Sequence, residues 1–392
     1  MKSRKILQST LFDIAWAIFL TAQLATLSQA YSESQNAAPV TAYKAAMGIS
    51  CALLAAVIVI NLIKKVYPVK TLICYALSGA VFALSWYFCR QSVILWSFLI
   101  LAAAYRQSGK RVIFISAFLT ALDLIVMIAG SQAGIFTDFI FGSGRNRHGL
   151  GYLWTTVAPT LLLFFALQYI WLRKEKMRIW EYIIIELANI YLYIKTDTYA
   201  VFFGLTAILA FFAVEGAFKR RWRFLGRLKW LYYLGPALIC VITVIIYYMY
   251  DGGNETWSAL NDILKDRLSL GKYCLESFGV TPFGQEIIWS GHSTAALDGA
   301  YLYADCSYIQ LLVNCGAAFL INVILIYTRL NVRAFKAKDF WLIWIGAAAL
   351  LLGVLDPRLF DLAFNVIPLL AFLELEEAPL EYEKGFLKKI WA

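Results

Sequence analysis

The chain has 392 residues, of which 61% are hydrophobic and only 15% are charged, and its formal net charge is +10. A soluble protein carries about 25% charged residues, so this composition excludes an ordinary soluble enzyme and indicates a membrane protein. The positive charge would suggest nucleic-acid binding in a soluble chain. Here the distribution of lysine and arginine along the chain explains it, and we predict no nucleic-acid partner.

Apolar segments of roughly membrane-spanning length follow one another along the whole chain. We predict an all-α polytopic transmembrane bundle, a single integral membrane domain over residues 1–392, with about ten to twelve spans. Residues 375–392 would form a cytoplasmic tail. The predicted spans are 6–27, 43–63, 71–88, 91–104, 112–130, 152–171, 179–194, 198–215, 230–250, 307–328, 340–354 and 359–374.

Basic residues concentrate in every second loop, and the run at 219–229, KRRWRFLGRLK, is the densest. Because cytoplasmic loops are enriched in lysine and arginine, we place both termini in the cytoplasm and the basic run on anionic lipid. The first segment resembles a signal peptide, but its length favours an uncleaved helix. This topology places both histidines outside, with nine of the 35 basic residues: Lys44, Arg90, Arg145, Arg147, Lys195, Lys265, Arg267, Lys272 and Arg358.

The outside loop 131–151 ends in the sequence FGSGRNRHGLGY, which sets Arg145, Arg147 and His148 among four glycines. Guanidinium groups match phosphate oxygens, and glycine lets backbone N–H groups approach an anion. A helix beginning near Tyr152 would add the positive end of its dipole. We therefore predict an anion site, the alternative being a loop whose charges reach lipid phosphates.

The outside loop 251–306 is the longest. Leu260, Ile263, Leu264, Leu268 and Leu275 recur at helical spacing, which predicts one amphipathic helix that carries Lys265 and Arg267. The loop also holds His292, Asp298 and Asp305. Either carboxylate is a candidate general base for a sugar hydroxyl, or Asp305 caps the next helix. Aromatic side chains in the loop suit the headgroup belt or stacking on sugar rings.

Other polar groups lie in or beside the spans. Asp197, in the tight turn Lys195–Tyr199, is a candidate acid/base or part of a solvated turn. The intramembrane acids Asp13, Asp123 and Glu186 are either functional or hydrogen-bonded groups that orient helices. The seven cysteines lack metal-binding spacing, and we expect Cys274 and Cys306 to be free thiols, the alternative being a disulfide between them. We predict neither a metal nor a cofactor.

Arginines for a phosphate, with a histidine or carboxylates for a hydroxyl, on the non-cytoplasmic side favour one reaction. It is transfer of a glycan from a lipid diphosphate to a sugar acceptor. The leaving group is a diphosphate, so stabilising its charge supplies much of the catalysis. Arg145, Arg147 and Arg267 would bind the diphosphate, with Asp298 and His292 as further substrate contacts. His148, Asp197 or Asp305 would act as acid/base.

At these residues the chain resembles the O-antigen and capsule polysaccharide polymerase family, whose superfamily includes the O-antigen ligases. The matching segments are 144–152 (GRNRHGLGY), Asp197-Thr198-Tyr199, Asp266-Arg267 with Phe283-Gly284, and Asp305-Cys306-Ser307-Tyr308 with Cys315-Gly316. Cys306 replaces the family's asparagine, and Tyr199 lies near the place of its usual arginine.

The resemblance implies a multi-pass plasma-membrane enzyme that joins repeat units carried on undecaprenyl diphosphate, at the outer face and without metal. Its partners would be that lipid-linked oligosaccharide, membrane lipid, and the flippase and chain-length regulator of such a pathway. Two alternatives stay open: a ligase that transfers the glycan to another acceptor, and a flippase or other transporter of lipid-linked glycans.

Overall fold

The computed structural model describes residues 2–33, 37–141, 146–217, 229–290 and 302–375. The chain is mainly helical. The helices are α1 (Lys2–Thr26), α2 (Gln29–Glu33), α3 (Ala37–Ile63), α4 (Val69–Cys89), α5 (Val93–Ala103), α6 (Gly109–Gln132), α7 (Val157–Arg173), α8 (Ile179–Thr196), α9 (Tyr199–Ala217), α10 (Lys229–Met249), α11 (Glu255–Ile263), α12 (Arg267–Phe278), α13 (Ser307–Gln310), α14 (Ala317–Lys336) and α15 (Phe340–Leu352). Two short strands, β1 (Ile140–Phe141) and β2 (Arg147–His148), pair antiparallel.

Seven helices in the described part of the chain are long and apolar enough to cross a membrane: α1, α3, α4, α6, α9, α10 and α14. The helices α5 and α15 are apolar but shorter. Large apolar side chains remain exposed along the outer helices, for example Ile183, Leu187 and Ile194 on α8. Such faces are stable only against lipid or another apolar surface, so the prediction of a helical, membrane-embedded protein is confirmed.

The helix α7 lies at the centre of the bundle and is buried along almost its whole length, from Val157 to Trp171. It packs against α6, α8, α9 and α15, while α1 packs against α3 and α6. On the other side, α10 and α14 form a close pair. A helix surrounded in this way needs apolar residues on every face, as α7 has.

The ends of the bundle differ in their polar contacts. At the end predicted to be cytoplasmic, Arg173 pairs with Glu181 at 3.1 Å and Lys174 pairs with Asp339 at 2.7 Å. The C-terminal ends of α6 and α8 and the N-terminal end of α7 lie at the opposite end. We call this opposite end the site end.

The prediction that 359–374 forms a spanning helix is wrong. The segment folds into turns and a 3-10 helix, Ile367–Ala371, and most of its apolar side chains are buried. Pro368 has no N–H to donate to a helical hydrogen bond. The side chain of Asn365 satisfies nearby backbone groups, with Nδ2 donating to Leu359 O at 2.8 Å and Oδ1 accepting the Ile367 N–H at 3.2 Å. Hydropathy therefore identified a buried segment of the chain, but not a helix.

Non-helical backbone inside a membrane protein needs hydrogen-bond partners from its surroundings. Two arginines of α14 provide them. Arg329 Nε donates to Ala371 O at 2.8 Å, and Arg333 Nη1 donates to Leu370 O at 3.1 Å. Both arginines lie in a basic stretch of the kind that the positive-inside rule assigns to the cytoplasm, and they also stabilise the last buried segment.

The prediction of one helix over 307–328 is also wrong. The helix α13 continues into a π turn, Leu311–Cys315, and the backbone then breaks at Gly316, where φ is +92°. The helix α14 begins directly after this glycine. The break exists because Gly316 packs backbone to backbone against Gly284 in the preceding loop.

The predicted single amphipathic helix of the large loop is two helices, α11 and α12. Lys265 and Asp266 separate them in left-handed conformation, with φ of 53° and 63°. The side chain of Asn261 stabilises the turn, because its Oδ1 accepts the Ser269 N–H at 3.0 Å and its Nδ2 donates to Asp266 Oδ1 at 3.0 Å. The turn places Arg267 at the first position of α12.

Replacing Gly271 with alanine is expected to displace α12 from α10. A Cβ atom at this position would lie 2.2 Å from the ring of Tyr247, which is buried. Overpacking of this kind destabilises by about 1–3 kcal/mol, and the shift would also move Arg267. We expect a lower thermal midpoint in detergent, and faster proteolysis within 255–278.

The control is Gly48→Ala in α3, where a Cβ atom meets nothing within 4 Å. Alanine favours a helix over glycine by about 1 kcal/mol, so this variant should be at least as stable as the parent. Equal behaviour of the two variants would contradict close docking of α12 on Tyr247.

Candidate site at one end of the bundle

The described part of the predicted anion loop contains two short antiparallel strands, β1 and β2, which together we call the hairpin. Ile140 pairs with His148 and Phe141 pairs with Arg147, so the two strands hold both basic side chains in fixed register. Phe141 in turn packs edge-on against Trp154, with 4.3 Å between ring centroids. The hairpin therefore has its own apolar support, which positions Arg147 and His148 on an ordered element.

His148 is paired with Asp138, the one acidic residue within 131–151. Its Nδ1 lies 2.6 Å from Asp138 Oδ2, and Asp138 Oδ1 accepts the Leu150 N–H at 2.8 Å. The carboxylate is thus held on both sides. A carboxylate at Nδ1 favours the tautomer with the proton on that nitrogen and leaves Nε2 as the acceptor, which is the form that a general base requires.

Arg147 reaches the turn between α8 and α9. Its Nε donates to Thr196 O at 2.9 Å, at the C-terminal end of α8. Asp197 follows in left-handed conformation, with φ of 49°, and its N–H donates to Tyr193 O at 2.8 Å. The structure therefore brings the hairpin to the Lys195–Tyr199 turn, as expected for one site.

The segment after the hairpin differs from the prediction. Leu150 and Gly151 have positive φ, and α7 begins at Val157 instead of near Tyr152. Tyr152 points into the bundle, where its hydroxyl donates to Asp123 Oδ2 at 2.7 Å. The dipole of α7 therefore does not begin at the glycine-rich loop.

Arg358 occupies the N-terminal end of α7. Its Nη1 donates to Asp356 Oδ2 at 2.8 Å and to Thr160 Oγ1 at 3.1 Å, and its Nη2 donates to Thr156 Oγ1 at 3.2 Å. Its guanidinium also stacks 4.5 Å from the centre of the Phe364 ring. The sequence places Arg358 among the outside basic residues but gave no reason to assign it to the site.

A second group forms where α12 meets the start of α13. Arg267 Nε lies 3.4 Å from Asp305 Oδ2, and both side chains are largely buried. Arg358 also interacts electrostatically with Asp305. These contacts bring together two predicted residues, Arg267 and Asp305, that are far apart in the chain.

Two predicted motif segments meet beside this group. Gln285 N–H donates to Asn314 O at 2.9 Å, and Ala317 N–H donates to Thr281 O at 3.0 Å. Between these bonds, Gly284 contacts Gly316 through the backbone. The loop after α12 is therefore joined to the break before α14, which fixes the position of both.

Three predicted site residues, Arg145, His292 and Asp298, lie outside the described residues. Asp305 does not cap α13, because Cys306 is the residue at that position. The roles assigned to Asp197 and Asp305 as acid/base remain predictions. Sequence reasoning missed Asp138, although the presence of a single acid in the same loop as His148 could have indicated it.

The intramembrane acids have partners that suit a structural role. Thr206 Oγ1 donates to Glu186 Oε1 at 2.7 Å, linking α8 to α9. Asp13 on α1 lies 3.5 Å from Arg111 on α6. The third acid, Asp123 on α6, accepts the hydrogen bond from the Tyr152 hydroxyl. Each of the three acids thus connects two parts of the bundle, which favours the interpretation that they orient helices.

All seven cysteines are free thiols. Burial raises the pKa of Cys274 to about 11 and that of Cys306 to about 12, so both are protonated at neutral pH. Within the described residues, no group of three or more histidine, cysteine or acidic side chains could hold a metal ion.

Comparison with known proteins gives no relative from which a role could be transferred. No protein-family model, no curated protein and no solved structure matches this chain. Any functional assignment therefore depends on the residues at the site end.

Proposed function

We propose that this protein transfers a lipid-linked oligosaccharide to a sugar hydroxyl, polymerising repeat units carried on undecaprenyl diphosphate into a surface polysaccharide. The observation that carries the proposal is the Asp138–His148 pair at one end of an apolar bundle, with Arg147 as the preceding residue of the strand that holds His148. A base and a phosphate-binding group are thus adjacent in the chain. The resemblance to the O-antigen and capsule polymerase family supports the same proposal.

In this mechanism His148 Nε2 accepts the proton of the acceptor hydroxyl as its oxygen attacks the anomeric carbon. The bond from that carbon to the diphosphate oxygen breaks, and the lipid diphosphate leaves with the electron pair. Arg147 and Arg267 stabilise its charge. Asp138 holds the imidazole in the reactive tautomer and stabilises its charged form after proton transfer.

The proposal includes a topology. About twelve segments, counting the buried non-helical segment at 359–374, would lie in the plasma membrane, with both termini in the cytoplasm and the site end outside. The basic loops within the described residues support this orientation, because they flank the end that holds the Arg173–Glu181 and Lys174–Asp339 pairs.

Replacing Arg147 with alanine is expected to abolish long polymer, leaving single repeat units on the cell surface. Loss of one group that stabilises charge only in the transition state typically costs 10²–10³ in rate. The measurement is the length of surface glycan by gel electrophoresis, at matched protein level. The control is Arg90→Ala, which removes an outside arginine that stacks on Tyr87.

Normal polymer in Arg147→Ala would refute the assigned role. The same assay separates the polymerase from a ligase. A polymerase defect accumulates single repeat units, whereas a ligase defect accumulates lipid-linked polymer.

A further inference from the structure

Two arginine–aspartate pairs lie at the site end, and they differ in how completely the arginine is bonded. Arg358 donates to a carboxylate at 2.8 Å and to two threonine hydroxyls, so both terminal nitrogens of its guanidinium are bonded and hold the start of α7. An arginine bonded in this way has a structural role.

The second pair, Arg267 and Asp305, is loose. The two side chains approach to 3.4 Å without hydrogen-bond geometry at Arg267 Nε, which is buried and has no hydrogen-bond partner among the described residues. Arg267 Nη1 reaches a single backbone carbonyl, that of Leu264, also at 3.4 Å. A buried donor without a partner is costly, so the contacts among the described residues leave this guanidinium incompletely satisfied.

The surroundings favour a second anion at this position. Arg267 is the first residue of α12, whose positive dipole end lies here. A diphosphate offers several oxygens that can engage the guanidinium fork in bidentate fashion, whereas Asp305 Oδ2 approaches Arg267 Nε only to 3.4 Å.

We propose that Asp305 occupies the anion position at Arg267 in the resting protein, and that the diphosphate of the substrate displaces it. This inference rests on the proposed function and adds a role for Asp305. The Asp305 carboxylate competes with the substrate for Arg267. Anions with one charge and few oxygens would displace it poorly. The pair would therefore select for diphosphate carriers.

The test is the affinity of the purified, detergent-solubilised protein for inorganic pyrophosphate, measured by calorimetry. Asp305→Asn keeps the side-chain shape and removes the competing charge, and we expect it to bind pyrophosphate about tenfold more tightly than the parent. Asp305→Ala removes the same charge together with most of the side chain. Agreement between the two variants would show that the effect comes from the lost charge and not from a folding defect in one of them. Arg267→Gln should lose most of the binding.

The charge-matched control is Asp262→Asn, which removes an exposed acid of α11 in the same loop. It should leave the affinity unchanged. Equal or weaker binding in both Asp305 variants, with binding still dependent on Arg267, would overturn the competitor role and leave the proposed function standing. Absence of any Arg267-dependent binding in the parent and in the Asp305 variants would instead refute Arg267 as a diphosphate ligand, and the competitor role with it.

Discussion

Replacing Gly316 with alanine is expected to prevent stable folding of the site end. A Cβ atom at this position would lie 2.3 Å from the backbone nitrogen of Gly284, and the φ angle of +92° is itself unfavourable for alanine. With ψ at 163°, Gly316 has a backbone conformation that essentially only glycine adopts and that costs other residues about 1–3 kcal/mol, and overpacking adds about 1–3 kcal/mol. Backbone atoms cannot rotate away, so the actual cost should be at the upper end.

The consequence would extend beyond the glycine. The contact joins the loop after α12 to the break before α14, between the hydrogen bonds from Gln285 to Asn314 and from Ala317 to Thr281. Total stability of a typical protein is about 5–15 kcal/mol, so the substitution would remove a large part of it. We expect little monodisperse protein in detergent, and a clearly lower thermal midpoint for what remains.

The matched control is Gly279→Ala. Gly279 also has a positive φ, +67°, but a Cβ atom there meets nothing within 4 Å. This variant measures the conformational cost without the steric one. A similar loss of stability in both variants would show that the backbone contact between Gly284 and Gly316 is not what holds the two segments together.

Hydropathy and periodicity predicted most of the helices because both depend on local sequence. The tight turn between α8 and α9 follows from two apolar runs with four polar residues between them, and the structure has it. The break at Gly316 could not be predicted in the same way. A glycine inside an apolar run is compatible with a continuous helix, and what interrupts this one is a loop residue 32 positions earlier.

The last apolar segment shows a second limit. The apolar composition of 359–374 predicts that the segment is buried. Whether it forms a helix or turns depends on hydrogen-bond partners in other parts of the chain. Arg329 and Arg333 bond its carbonyls from α14, and their positions in sequence suggested only a topology signal. Arg267 and Asp305 are likewise distant in sequence, and no local pattern could predict their contact. Only the assumption that both belong to one site suggested that they lie close together.

The hairpin was predicted in part from the sequence. Sequence singled out Arg147 and His148 from their unusual surroundings, because basic residues are scarce on the outside. It did not predict the strand pairing that turns the loop back, and so it overlooked Asp138. The carboxylate contacts His148 only because β1 and β2 are antiparallel.

Replacing Asp138 with asparagine is expected to lower polymerisation by about 10²–10⁴-fold, the usual contribution of a positioned general base. The new amide oxygen would keep the bond to the Leu150 N–H, which needs an acceptor. The NH₂ group would then donate to His148 Nδ1 and move the imidazole proton to Nε2. The measurement is the rate at which the purified protein extends a lipid-linked repeat unit.

A purely structural role for Asp138 would give a different pattern. Asparagine preserves both hydrogen bonds, so the thermal midpoint should hardly change while activity falls. His148→Gln should lose at least as much activity, and adding Asp138→Asn to it should cost little more, because the carboxylate acts through the imidazole. Losses that multiply in the double variant would mean that Asp138 acts independently of His148, and the assignment of His148 as the base would then be wrong.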